Sequence, residues 1–276
     1  LSIVASGSGV YQMSGGTYAN FTRTATAVKT DSWRVTASPT ITGTLTLTGN
    51  SVTNRLLIES STVGTARTIT AATVTVTNAD FMDITGAGAG SWDLSAISGG
   101  SGDCGGNSGI TFTASVDRYG VVAGNWSSTA TWSATSGGAG GVSVPLPQDN
   151  VFLDANSAAG TYTADMPRLG GSINFTGFTR TLTPSVNATN YGSLTLASGM
   201  PYSGSASTHT LAGRGSYTLT AAGKVNFAGG NLFVSAPGGT YTLQDALSIS
   251  PNLQGDDGTF DANNQSVTVQ SFISAS

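Results

Sequence analysis

Along most of this chain, apolar residues alternate with Thr, Ser and Asn in short runs. Thr40–Thr48 reads TITGTLTLT, Thr73–Thr77 reads TVTVT and Ser193–Ala197 reads SLTLA. A period of two with one apolar face predicts half-buried strands. In the first half the pattern places strands at Thr40–Thr48, Arg55–Glu59, Arg67–Ala71, Thr73–Thr77, Ala79–Thr85 and Ile110–Thr113. In the second half it places them at Tyr162–Ala164, Ser172–Phe175, Arg180–Thr183, Ser193–Ala197, Thr208–Leu211, Tyr217–Thr220 and Lys224–Phe227. Leu232–Val234, Tyr241–Leu243, Leu247–Ser250, Thr259–Phe260 and Ser266–Phe272 complete the set. Asn50, Asn54, Gly64 and Asn78, then Gly177, Gly192, Gly204, Gly229-Gly230, Gly238-Gly239 and Gly258, stand between runs, where turn geometry is wanted.

Strands this short, with no helical period between them, cannot close a core alone. They must stack on neighbours, as the coils of a solenoid do. A sandwich would show two-residue hairpin turns at even spacing. Here the connections range from very short to long Gly-rich stretches such as Gly86–Gly109. The predicted fold is all-β: a parallel β-helix or β-solenoid, with successive strands about a dozen to sixteen residues apart.

The pattern divides the chain into four parts. Residues 1–30 alternate weakly and are expected to form a cap or the end of a preceding coil. Residues 31–118 form a first β-helical body. Residues 119–160 break the rhythm with Trp126, Trp132, a Gly-rich loop at Ala134–Gly141 and the Pro145/Pro147 turn, which marks a junction module. Residues 161–276 form a second body. The chain does not start with Met and stops in mid-pattern at Ser276, so a processed product or a portion of a longer protein is expected.

Composition changes this picture in one direction. The 276 residues hold 38 Gly and 41 Thr, and only 9% are charged, against about 25% in an average soluble domain. Ten scattered basic residues and a net charge of −4 give no basic stripe, so nucleic-acid binding is not expected. A neutral, hydroxyl-rich surface suits packing against copies of itself. The single cysteine, Cys104, permits neither an internal disulfide nor a Cys-based zinc site. It reads as a small buried residue at a corner. No apolar run is long enough for a membrane span.

The candidate chemistry is thin. Asp256, Asp257, Asp261, Asn263 and Asn264 form an oxygen-rich cluster, but without EF-hand spacing, and read as a coil corner rather than a calcium loop. Asp149, Asp154 and Asn156 read as strand-end turns by the same chemistry. Asp80 and Asp83, three apart, would point to opposite faces of a strand. Asp93 and Asp103 lie in the Gly-rich insertion, and Glu59 is the one glutamate. No carboxylate pair stands out for glycoside cleavage. His209 has no placed acid or nucleophile for a triad. Trp92, Tyr119, Trp126 and Trp132 are candidate contacts for a glycan or a partner, although Trp126 and Trp132 read first as plugs of the junction. No catalytic, cofactor or metal residue is predicted.

Several strings carry a resemblance. GNWSSTATWSATSGGAGGVSVPLPQDNVFLDANS (Gly124–Ser157) looks like a recurrent W-S-x-x-x-x-W, Gly-rich loop, P-x-x-D-x-V-x-x-D-A-N-S module. Ser101–Thr113 looks like the end of the unit preceding it; Tyr191–Met200 and Tyr241–Phe272 look like its following coils. Over roughly residues 40–276 the chain resembles repetitive β-helical structural proteins of bacteriophages and prophages, of the fibre, tail or head-decoration kind. The resemblance implies a non-enzymatic virion component on the particle surface, partnered by its own copies and other virion proteins. The alternatives are a receptor-binding tail fibre or bacterial surface adhesin that recognises host glycan, and a β-helical polysaccharide depolymerase. It implies no cofactor and no membrane insertion.

Overall fold

The computed structural model describes residues 1–202, 207–223 and 230–274, apart from the side chain of Pro251. The expected strand at Lys224–Phe227 and the corners at Gly204 and Gly229 lie outside the described residues. The chain forms two compact units, Leu1–Ala114 and Ser115–Ser276. Each is a β-solenoid of stacked parallel coils; the helical content among the described residues is a single 3-10 turn at Thr129–Thr131, in the second unit. No helix among them is long and apolar enough to cross a membrane.

The first unit contains β1 (Ser2–Ser6), β2 (Val10–Met13), β3 (Gly16–Tyr18), β4 (Asn20–Thr24), β5 (Ser32–Val35) and β6 (Pro39–Thr48). It continues with β7 (Leu56–Ser60), β8 (Arg67–Thr77), β9 (Ala79–Met82), β10 (Ile84–Ala87) and β11 (Ser101–Asp103). They make two parallel sheets. One runs β1-β4-β6-β8-β10, with β3 beside β6; the other runs β11-β9-β7-β5-β2. The residues expected to form a cap, 1–30, supply strands to both sheets. Alternation is weak there because β1 and β2 lie at the sheet edges, where Val4 and Val10 stay exposed.

The second unit holds β12 (Asp117–Gly120), β13 (Trp132–Ser133), β14 (Asn150–Phe152), β15 (Thr161–Ala164), β16 (Arg168–Gly170), β17 (Ile173–Asn174) and β18 (Thr181–Pro184). Then come β19 (Ala188–Asn190), β20 (Leu194–Thr195), β21 (His209–Leu211), β22 (Ser216–Thr220), β23 (Leu232–Leu243), β24 (Leu247–Asp261) and β25 (Val267–Ser274). All but β15 and β18, which pair with each other, belong to one sheet. The long strand β23 joins two of its faces, pairing β21 through Leu232–Val234 and β22 through Thr240–Leu243. The residues expected as a junction, 119–160, lie inside this unit, since β12 and β14 are its first parallel pair.

Coil length is set by which residues share a ladder. Val151, Ile173, Leu194, Leu219 and Leu243 occupy one inward position on successive coils. A coil therefore takes a little over twenty residues, within the roughly 20–45 of repeat proteins. The shorter spacing read from the sequence is that between consecutive strands within a coil. In the first unit Tyr11, Trp33, Ile58 and Phe81 form a comparable ladder, and Phe21 packs on Trp33 with ring centroids 4.4 Å apart. Each fully buried apolar side chain of this kind contributes about 1.5–3 kcal/mol.

Several predicted boundaries shift for local reasons. Arg67–Ala71 and Thr73–Thr77 are one strand with a register shift. Ala79–Thr85 is two strands, because Asp83 adopts φ +55° and turns the chain between them. Ile110–Thr113 contributes only a bridge, Thr111 to Asp93.

Candidate functional site

The four aromatic candidates separate by burial. The chain turns between Trp126 and Trp132 through Thr129–Thr131 and brings their rings edge to face, with centroids 4.7 Å apart. Trp132 Nε1 donates to the Trp126 carbonyl at 2.7 Å, and Trp126 Nε1 donates to that of Leu169 at 3.0 Å. Both rings are buried in the second unit's core. Beside them β12 and β13 form the one antiparallel pair among the described residues, which ends the parallel stack. Trp92 does a similar job at the last coil of the first unit. It lies edge-on to Phe81, and its Nε1 donates to the Ala87 carbonyl at 2.9 Å. Of the four, Tyr119 alone is half-exposed; it stacks on Phe152 at 4.9 Å.

The carboxylates hold corners and coils. Asp80 is buried and receives Arg55 Nε at 2.7 Å. The same guanidinium donates to the carbonyls of Ala79, Gly99 and Gly100, which ties the Gly-rich insertion to the coil beneath it. Buried Asp83 accepts the Gly64 amide at 2.8 Å. Glu59 accepts from Arg34 at 2.9 Å and from Ser32 at 3.2 Å. Asp93 caps its own turn through Ser95; the Ser95 hydroxyl and amide hold its carboxyl below the usual range. Asp103 accepts from Gly105 and Asn107, beside the buried Cys104.

The second unit follows the same rule. Asp149 spans the Pro turn by accepting the amides of Val116 and Leu146. Asp154 accepts from Ser136 and the Asn156 amide. Asp261 caps the turn in which Asn263 and Asn264 take positive φ. Among the described residues no cluster of three His, Cys, Asp or Glu side chains is placed to hold a metal ion.

His209 is buried on β21. Its Nε2 lies 2.8 Å from Asn190 Oδ1, and Asn190 donates its amide to the Gly192 carbonyl at 2.6 Å. Burial among Leu169, Leu182, Leu194 and Tyr202 pushes its pKa down to about 4. The ring is neutral at pH 7 and serves as a hydrogen-bonding core residue.

At the far edge of the second unit a groove of about 210 Å³ runs between β24 and β25. It is lined by Leu253, Gln254, Asp257, Phe260 and Phe272, and Phe272 is 63% exposed. Sequence reasoning passed over both this groove and the clamp of Arg55. An isolated Arg ahead of a strand was the one available sign of the clamp.

Comparison with protein-family models, with curated proteins and with solved structures finds no match to the chain.

Proposed function

We propose that the chain is a non-enzymatic structural component of a phage particle, built by coil stacking and self-association. The observation that carries this reading is the use made of its charged and polar side chains. Asp80, Asp83, Asp149, Asp154 and Glu59 each bind a backbone amide, an arginine or a hydroxyl of the scaffold. Such side chains serve architecture rather than a converging reactive site. The particle assignment itself rests on the resemblance of Gly124–Ser157 and its neighbouring strings to phage fibre and decoration modules.

Self-association fits the makeup of β25: Val267–Ser274 carries no Lys, Pro or acidic residue, the residues that keep a strand from pairing with another chain. Its alternating Val267 and Val269 continue ladders begun at Leu247 and Ile249. The occupant proposed is a strand of a second copy. Sedimentation of the chain over a concentration series tests the assembly. A concentration-dependent oligomer that Val269→Lys with Phe272→Lys reduces to monomer is expected. A monodisperse monomer at every concentration overturns it. Mass spectrometry of particles purified from producing cells tests the location: the chain is expected at fixed stoichiometry, and its absence from particles overturns the virion assignment.

A further inference from the structure

We infer that the outer face of the β1-β4-β6-β8 sheet is an ice-binding surface. The inference is independent of the structural role proposed above and begins with register. Val4, Thr22, Thr46 and Thr75 lie side by side on four successive coils, and so do Ser6, Thr24, Thr48 and Thr77. A third row sets Thr44 beside Thr73, with the Asn20 side chain accepting the Thr44 amide at 2.8 Å. The register shift of β6 against β8 lies before Thr44, so the rows cross the sheet without interruption. Behind them Phe21, Leu45, Leu47 and Val76 are buried and hold the outer residues in place.

The chemistry of this face is narrow. Each threonine offers a hydroxyl and a methyl group, stiff at χ1 because the residue is β-branched. Among the described residues none of the eight threonine hydroxyls in the rows bonds to a protein atom. They face outward unspent. The rows contain no charged side chain and no aromatic ring, so they lack what recognises phosphate or stacks on a sugar. What they offer is repetition: about 4.8 Å between coils and about 6.6 Å between alternate residues of a strand. The coil repeat lies near the shorter oxygen spacing on the prism faces of hexagonal ice. A ligand matched by a repeating hydroxyl lattice is itself a lattice, and solid water is the lattice proposed here. In the second unit Thr161 with Thr181, Thr163 with Thr183 and Thr195 with Thr220 are pairs, and the row Ser216, Thr240 and Thr259 stands alone without parallel rows beside it over the same coils.

The test uses the purified chain, with thermal hysteresis and crystal shape read in a nanolitre osmometer and partition of labelled chain into a growing ice hemisphere. The wild type is expected to open a freezing gap, facet the crystal and enter the ice. Thr46→Tyr, at the centre of the rows, is expected to lose all three while keeping the wild-type circular dichroism spectrum and melting temperature. Thr176→Tyr, on an exposed turn of the second unit, is expected to keep all three. If Thr46→Tyr unfolds, Thr75→Tyr at the border of the rows takes its place. Wild-type protein that leaves the freezing point, crystal shape and partition at the level of a serum albumin control overturns the inference. So does a folded Thr46→Tyr or Thr75→Tyr variant with full activity. Binding to powdered cellulose or chitin without any effect on ice also overturns it.

Discussion

Arg55 and Asp80 meet across adjacent coils at 2.7 Å, with side chains only 2% and 1% exposed. Two charges this deep are stable only because each is paired and the remaining guanidinium donors reach three backbone carbonyls. Arg55→Met strands the Asp80 carboxylate and frees the insertion above it. The expected cost is about 3–5 kcal/mol, read as a lower melting temperature of the first unit and faster amide exchange across residues 97–103. Arg55→Met combined with Asp80→Leu is expected to recover part of that loss, because no unpaired charge remains.

His209 predicts an acid limb specific to the second unit. Its folded pKa of about 4 lies below the ordinary 6.5 or so, so the unfolded chain takes up the proton first. Stability from this group is therefore complete above about pH 6.5 and is lost as pH falls toward 4, by about 3 kcal/mol. His209 is the only histidine in the chain. Unfolding measured between pH 7 and 4 for wild type and His209→Leu is expected to diverge over that window, the variant being the flatter. Parallel curves count against a neutral buried imidazole.

Trp126 is expected to be the costliest single aromatic to remove from the second unit. Trp126→Ala empties the space above the first coil and should cost about 3–5 kcal/mol. Trp126→Phe keeps most of the volume but leaves the Leu169 carbonyl without the indole donor, for about 1 kcal/mol. Calorimetric scans of the two variants check the order. Equal melting temperatures for both would rule out a packing role.

Two glycines separate crowding from freedom. A Cβ on Gly49 would overlap the carbonyl oxygen of Asn78 on the neighbouring coil, whereas one on Gly255 meets no atom within 4 Å. Gly49→Ala is expected to destabilise the first unit by about 1–3 kcal/mol, as overpacking does. Gly255→Ala is expected to stay within about 0.5 kcal/mol of wild type. Chemical denaturation midpoints of the pair test the contrast.

The fold class was legible because alternation is local. Thr40–Thr48 and Tyr217–Thr220 announce strands wherever the chain goes next, and nearly all predicted runs within the described residues form strands. The site was less legible. Asp80 and Asp83 could be placed on a strand but not given partners, since Arg55 and Gly64 approach from another coil. Trp126 and Trp132 share parity in the sequence, and the Ser127–Ala130 stretch between them already signals the turn that brings the rings together, but not their edge-to-face packing.

The sequence by itself determined that this chain is all-β, that its strands are too short to stand alone and that they must stack. Those properties follow from a two-residue period and from the turn geometry of Gly, Asn and Asp, both encoded within a few residues. Only the tertiary structure decided that a coil is a little over twenty residues long, that Trp92 lies inside, and that Thr22, Thr46 and Thr75 share a row. Those facts depend on register between strands far apart in sequence. A period of two constrains which face a residue takes; the packing of whole coils decides which residue becomes its neighbour.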